Sequence, residues 1–436
     1  MLNSYTKKLM IFNSIYNRLL LFNINLNILS IRSLFRELIF IPSNLKPKRS
    51  IINNKRKIVF VLIFKSHLKQ ALPILKKLKK NNVKFSIITV RDKFEIQLSE
   101  FKNDIYNINN FYSFSDYFLG CFFQIYNYSL SLIKQDKIRA YYIMKLFKIS
   151  YLIEKAFIKL IEKNDIKKII LFKGDGVEAL TVTSLVKAKY KTIKLISIQH
   201  GVIGVSKIHE NLYLDEFWVW SDFFKSRLLQ SKVGCNIKIV GDPTKDMLFK
   251  SVWPIKNKKN DNINKILFLP NSGNSFTQKS QVLHSCKIIS NFSKRNNNFK
   301  VMVKPHPGDI NNLVENFFFK NKSKANIINR HDDVIKNNFY DADLIVINNS
   351  GIGNESAIFG IPIIIIAENM DQIWINQYLE NKIAEISLNY NEFKKSLEKI
   401  LSKYSIYSKN CRQFAETMYA YRGESLDKIL NLIKSK

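Results

Sequence analysis

The sequence predicts an α/β protein built from two doubly wound parallel-sheet domains, and three observations predict it. Short apolar runs rich in Ile and Val recur along most of the chain without polar alternation, the pattern of strands buried on both faces. Segments with apolar residues at helical spacing separate most of these runs, which is the order of βαβ units. A stretch with proline, lysines and asparagines and no apolar period, "SVWPIKNKKNDNINK" (251–265), divides the alternation into two sets.

Residues 1–50 precede the first set. They mix apolar residues with Lys, Arg and repeated Asn, which interrupt any run long enough to span a bilayer. No small-residue cleavage site follows a clean apolar core, so a signal peptide is not expected. The segment suits helices packed on the domain behind it, with an amphipathic segment lying on lipid as the alternative.

The first domain is expected over 51–250. "KIVFVLIF" is a continuous strand-length run, followed by "SHLKQALPILKKLKKNN" at helical spacing and then by the strand "VKFSIITV". An aromatic-rich stretch, 112–163, carries two helices, after which "IKKIILF", "TIKLISI", "EFWVWS" and "NIKIVG" are strands. With 251–265 as linker, the second domain runs over 266–405. Its elements are "KILFLP", a helix through "QVLHSCKIISNFSK", then "KVMVKPHP", "ANIIN", "DLIVINN", a helix from Gly351 to Phe359, and "IPIIII". Residues 406–436 are long enough for a helix that crosses back to the first domain. Two such domains facing each other direct their strand ends, where ligands bind, to a shared cleft.

Composition narrows the function classes. Of 436 residues 46% are hydrophobic, enough for substantial cores, and the formal net charge is +34. That charge suits a phosphate-rich partner, but the lysines form no dense block, so nucleic acid is not the expected partner. Cys121, Cys235, Cys286 and Cys411 lie far apart with no CxxC pair, which indicates neither a zinc site nor a disulfide framework and fits a reducing, cytoplasmic compartment.

The chain has only 13 glycines, yet "DLIVINNSGIGNESAIFGIPIIII" places three within a few residues of one another between two apolar strands. One reading is a turn at Gly351 and Gly353, a helix capped by Ser350, and a C-cap at Gly360. The other is a phosphate site on the first-turn amides, with Asn349 and Ser350 at the strand end, Gly351 allowing close approach and Glu355 one turn on, in reach of a ribose. In "VMVKPHPGD" a strand ends at Lys304, and Pro305 and Pro307 fix the backbone around His306, which can bind a phosphate or protonate a leaving group. "LISIQHGVIG" ends a strand at His200. "IILFKGDGVEAL" ends one at Gly174-Asp175-Gly176, where Asp175 either caps the following helix or takes a proton from an acceptor hydroxyl. Asp222 in "VWSD" reads as a helix cap, and "VGDP" supplies a further strand end with Asp242. Five strand ends over both domains thus carry Gly with His, Asp or Ser.

"QHG", "VWSD", "VGDP", "KPHP" and "NNSGIGNES" with "GIP", in this order, resemble the bacterial GT-B glycosyltransferases of surface polysaccharide assembly. The groups most alike are the capsule Kdo and polysialic acid transferases and the CDP-glycerol glycerophosphotransferases. The resemblance covers roughly residues 165–370. It implies GT-B architecture, two Rossmann-like domains across a cleft, and transfer of a sugar or glycerol-phosphate-like unit from a nucleotide donor, CMP- or CDP-linked, to a capsule- or lipopolysaccharide-type glycan. The nucleotide-binding set carries over to Lys304, His306, Pro307, Asn349, Ser350, Gly351 and Glu355, and the catalytic set to Asp175, His200 and His306. The family pattern tends to show two acidic residues before the glycine where this chain has Gly174-Asp175, and paired serines where it has Ser350-Gly351. No DxD-like pair stands at a suitable strand end, so the expected chemistry needs no metal, and no cofactor is expected besides the donor. The expected partners are the nucleotide-sugar donor, a lipid-linked or oligosaccharide acceptor, and an anionic surface at the inner face of the cytoplasmic membrane. Two rivals stay open: an enzyme like UDP-N-acetylglucosamine 2-epimerase on the same fold, which needs more carboxylates at the site, and a non-catalytic basic protein that binds nucleic acid or membrane.

Overall fold

The computed structural model describes residues 57–90, 98–111, 113–133, 146–206, 209–210, 212–252, 263–271, 279–333, 335, 338–348, 350–370 and 376–435. The N-terminal segment 1–50 and most of the linker, residues 253–262, lie outside the described residues. The chain divides into two compact units, one running to Thr244 and resuming at Glu424, the other spanning Lys245–Gly423.

In the first unit the elements are β1 (Ile58–Leu62), α1 (Lys65–Lys80), β2 (Phe85–Thr89), β3 (Ile105–Asn107), α2 (Phe114–Ile133), α3 (Lys148–Glu162), β4 (Lys168–Leu171), α4 (Val177–Lys189), β5 (Lys194–Ile198), β6 (Glu216–Val219), α5 (Asp222–Gln230) and β7 (Asn236–Ile239). The strands pair in parallel in the order β3-β2-β1-β4-β5-β6-β7. The inner strands of the sheet are buried on both faces, which is why they read as largely apolar runs, while the edge strands β3 and β7 are part-exposed. Phe60 and Leu62 pack with Ala71, Ile74, Leu75 and Leu78 of α1, while Val59 and Val61, equally buried, point to the opposite face.

The second unit has α6 (Asp246–Val252), β8 (Lys265–Leu269), α7 (Lys279–Arg295), β9 (Lys300–Val303), α8 (Leu313–Lys320), β10 (Asn326–Ile327), β11 (Leu344–Ile347), α9 (Gly353–Ile358), β12 (Ile363–Ile366), α10 (Gln377–Glu380), β13 (Ala384–Ser387), α11 (Tyr390–Ser402) and α12 (Tyr404–Met418). Its parallel sheet has the order β10-β9-β8-β11-β12-β13. Phe268, Val303, Val346 and Ile364 share a core with Phe292 of α7, Phe318 of α8 and Phe393 of α11. In both sheets the order reverses beside the first strand of the unit, β1 or β8, and ligands bind such folds at the carboxyl ends of the strands there.

Two expectations are corrected. The stretch 406–436 is not one helix: α12 belongs to the second unit, and after a turn with Tyr421 at φ 49° and Gly423 at φ +86° the last helix, α13 (Ser425–Lys434), belongs to the first. Ile429, Leu430 and Ile433 of α13 enter the α1 core, and Lys77 pairs with Asp427 at 3.1 Å. The other correction concerns α6, which the sequence assigns to the domain 51–250 but which packs in the second unit, where Phe249 meets Tyr419 edge-on at 5.6 Å.

Candidate functional site

In the first unit, the carboxyl ends of β1, β4 and β5 bring together residues from three separate stretches. Beyond β5, the buried Gln199 donates from Nε2 to the Gly201 carbonyl at 2.8 Å and accepts the Trp220 amide at 2.9 Å. This brace, with Gly201 at φ +78°, turns the chain sharply and fixes His200 beside the sheet. Beyond β4, Gly174 is closed in by Leu214 and Ser197, so that a Cβ there would stand 3.2 Å from Leu214.

The next residue, Asp175, does not cap α4. Gly176 holds the N-cap position, and no side chain caps the helix. The Asp175 Oδ1 atom is enclosed and has no hydrogen bond, its near charge being the Lys173 ammonium at 3.7 Å. A pocket of about 390 Å³ opens here, lined by Lys173, Asp175, His200, Ser206 and His209 among others. Asp175 thus stands at the wall of a pocket of ligand size with one enclosed oxygen that lacks a donor, a carboxylate within reach of a substrate hydroxyl in that space.

His67, at the start of α1, completes the cluster and is not singled out by sequence reasoning. Its ring is wholly buried, set edge-on to His200 with centroids 4.9 Å apart, and its Nδ1 faces the Ile63 amide at 3.4 Å. Burial first, then His200 and Lys173, hold its pKa down at about 3. His200 is lowered too, by burial and then by Lys173, with Asp175 opposing. Both imidazoles are therefore neutral near pH 7; His67 accepts the Ile63 amide on Nδ1, and His200, which lines the pocket, is the ring available as a proton acceptor. The only sequence signal for His67 is its place just after the first strand, in "IFKSHLK".

A stability prediction follows from this burial. The folded pKa of His67 lies below the unfolded value, so the unfolded chain takes up the proton first, and stability is lost as pH falls from about 6.5 toward 3. Going from about pH 7 to about pH 5 should cost about 2 kcal/mol through this residue. In urea unfolding at the two pH values, His67→Phe should fall by that much less than the wild type. Parallel losses in the two proteins would remove the assignment.

In the second unit, β9 ends at Val303 and Lys304 already lies beyond it. The buried Lys304 ammonium donates to the Arg330 carbonyl at 2.9 Å, and burial lowers its pKa, with Asp332 and Asp333 opposing. Pro305 is buried, while His306, Pro307 and Gly308 reach the surface. His306 accepts the Gly308 amide on Nδ1 at 2.9 Å, which leaves the neutral ring's proton on Nε2. Partial desolvation and then Lys304 hold its pKa below the usual value.

At the end of β11, Asn348 is a structural bridge that donates to the Ile366 carbonyl at 3.1 Å, and Asn349 lies outside the described residues. The helix expected from Gly351 is the shorter α9, and its N-cap position is Ile352, not Ser350. Ser350 Oγ faces the Ile352 amide at 3.4 Å, and Gly351 is half-buried in the turn. Gly353 is required by packing, since a Cβ there would stand 2.7 Å from the ring of the buried Tyr378. Tyr378 donates to the Ser350 carbonyl at 3.1 Å and so ties down the loop. Gly360 ends the helix at φ +67°, and the Ile361 amide closes back on the Ser356 carbonyl at 3.0 Å.

Glu355 has a partner that sequence reasoning missed. Its Oε1 lies 2.6 Å from the Lys245 ammonium, and the two side chains are only 14% and 8% exposed. The loop of His306 and the loop of Ser350 follow β9 and β11, which flank β8, so two strand spacings of about 10 Å separate the strands that carry them. Among the described residues, no group of three or more His, Cys, Asp or Glu is placed to hold a metal ion.

No family model matches the chain, and no curated protein matches it. Solved structures resemble it in fold. The UDP-GlcNAc 2-epimerase from Neisseria meningitidis, bound to UDP-GlcNAc, has a TM-score of 0.60 and 13% identity over 87% of this chain and 100% of that chain. The UDP-GlcNAc 2-epimerase from Methanocaldococcus jannaschii, in complex with UDP-GlcNAc and UDP, has a TM-score of 0.56 and 15% identity over 86% and 99%. The likeness is one of fold: the chain has the two doubly wound α/β units of GT-B-like proteins.

Proposed function

We propose that this chain is a metal-independent glycosyltransferase that moves a sugar, or a glycerol-phosphate-like unit, from a CMP- or CDP-linked donor to a growing capsule- or lipopolysaccharide-type glycan. The observation that carries the proposal is that the Asp175 carboxylate, one oxygen of which is enclosed and without a donor, and the neutral His200 line one pocket of ligand size. Asp175 takes the proton of the acceptor hydroxyl as that oxygen bonds to the transferred unit, and the bond to the donor phosphate breaks. His306, carrying its proton on Nε2, meets the departing phosphate in the second unit, where Ser350, Gly351 and the neighbouring amides bind the donor and Glu355 reaches its ribose. The "QHG", "KPHP" and "NNSGIGNES" motifs support this division of labour, and the substrates in the two epimerase structures support a nucleotide-sugar.

Those same structures favour a second reading, epimerisation at C2 of UDP-GlcNAc. Incubation with UDP-GlcNAc in D₂O, followed by NMR, separates the two: deuterium entering C2 supports the epimerase. Release of CMP or CDP, with label passing from the donor to an oligosaccharide or lipid-linked acceptor, supports the transferase. In the transfer assay, His306→Ala should lower turnover about 10²-fold with the circular dichroism unchanged. A wild-type rate in that variant would make His306 structural.

A further inference from the structure

We propose that His67 is a positioning residue that fixes the tautomer of His200, so that His200 turns an N–H to the pocket and leaves Asp175 as the pocket's proton acceptor. The part of His67 in transfer rests on the reading of the pocket given under the proposed function, whereas the hydrogen bonding of the two rings does not. A neutral imidazole has one bare nitrogen that can accept a proton, and the hydrogen bonds of the ring decide which nitrogen that is. For His67 the backbone decides it: Nδ1 accepts the Ile63 amide, so the proton of the ring sits on Nε2. That Nε2–H is enclosed and meets no acceptor. Three rings adjoin it, Phe64 at 5.4 Å, Phe172 at 6.3 Å and His200 at 4.9 Å between centroids, and of the three His200 alone has a nitrogen to offer.

On the His200 ring Nδ1 is likewise enclosed and without a partner. A buried N–H and a buried nitrogen that can accept it thus stand on adjoining rings, set edge-on at 62°. A small rotation of either ring, or one water between them, joins the two and satisfies both. The other arrangement, with the proton of His200 on Nδ1, sets two enclosed N–H groups side by side, neither with an acceptor, and burial makes that the costlier state. His200 also lines the pocket with Lys173 and Asp175. With Nδ1 turned inward to His67, the nitrogen on the pocket side is Nε2, and it carries the proton. The wall then offers N–H groups from His200 and Lys173 beside the Asp175 carboxylate. This set suits two neighbouring oxygens of one sugar, a hydroxyl that gives its proton to Asp175 and an oxygen that accepts from His200. His67 touches neither oxygen and acts only through the ring it orients.

The experiment is long-range ¹H–¹⁵N correlation NMR of the full-length chain labelled with ¹⁵N-histidine, near neutral pH, with the His200 signals identified by their absence in His200→Gln. The wild type should show the His200 proton on Nε2 and a bare Nδ1 that accepts a hydrogen bond. In His67→Phe the Nδ1 resonance should move to that of a nitrogen accepting none, and in His67→Gln, which keeps an N–H, it should stay nearer the wild type. In the transfer assay His67→Phe should lower turnover at least about tenfold with KM for the nucleotide donor unchanged, and His67→Gln should recover part of the loss. A proton on Nδ1 of wild-type His200 would overturn the proposal, and that spectrum needs no variant to fold. So would identical His200 signals in folded His67→Phe, which would give the His67 proton to Gln70, whose enclosed Oε1 also lacks a hydrogen bond. If the His200 spectra are as expected and no nucleotide donor yields transfer, the tautomer assignment stands and the transferase reading falls.

Discussion

Asp175→Asn should lower transfer from the nucleotide donor by about 10²- to 10⁴-fold, the range for loss of a general base, while the protein unfolds as the wild type does. Asparagine keeps the volume and the position beyond β4 but cannot take up a proton. The carboxylate makes no hydrogen bond that holds the fold and does not cap α4, so its loss should leave the unit intact. Donor binding, which the proposal assigns to the second unit, should be unchanged. Single-turnover transfer, alongside equilibrium binding of the nucleotide, tests this directly. Should Asp175→Asn transfer normally while His200→Gln does not, the base is His200, the other proton acceptor of the pocket.

The second large effect is on stability. Lys245→Met leaves Glu355 as a buried carboxylate without its cation and should cost about 3 to 5 kcal/mol. Glu355→Gln removes the same buried ion pair from the other side and should also be destabilising. The double variant Lys245→Met, Glu355→Gln should regain much of the loss, since neither charge is then left alone. Nucleotide affinity separates the structural role of Glu355 from its proposed role at the ribose. If the carboxylate binds ribose hydroxyls, the double variant recovers stability but still binds nucleotide about 1 to 3 kcal/mol more weakly. If affinity returns with stability, Glu355 serves only to hold Lys245. Denaturant unfolding and isothermal titration of the three variants measure both quantities.

These two residues also show where sequence reading stops. The strands β1, β2, β4 to β6, β8, β9, β11 and β12 are legible because each is a largely apolar run, the local record of burial on both faces, while β7 and β10 show as shorter Ile-containing segments. The edge strands β3 and β13 leave little such record, since "IYN" and "AEIS" are short and part-exposed. The helix after β11 is legible as a helix but not in its start, because Tyr378, twenty-five residues after Gly353 in the chain, decides which glycine the turn needs. "QHG", "KPHP" and "GDG" are visible as strand ends, since a strand that stops at Gly or Pro beside a polar residue is a local event.

Which of those ends meet is not local. His67 stands beside His200 because the sheet order places β1, β4 and β5 side by side, so that chain positions more than a hundred residues apart share one edge. Glu355 is paired with Lys245 across a similar separation, and nothing in "NESAIFG" records that partner. The sequence by itself determined the class of fold, the position of most strands and the candidate polar residues at their ends, because periodicity and turn chemistry act over a few residues. The tertiary structure alone decided which side chains are neutral, paired or left without a donor, because desolvation and charge depend on neighbours that the crossing connections deliver from elsewhere in the chain.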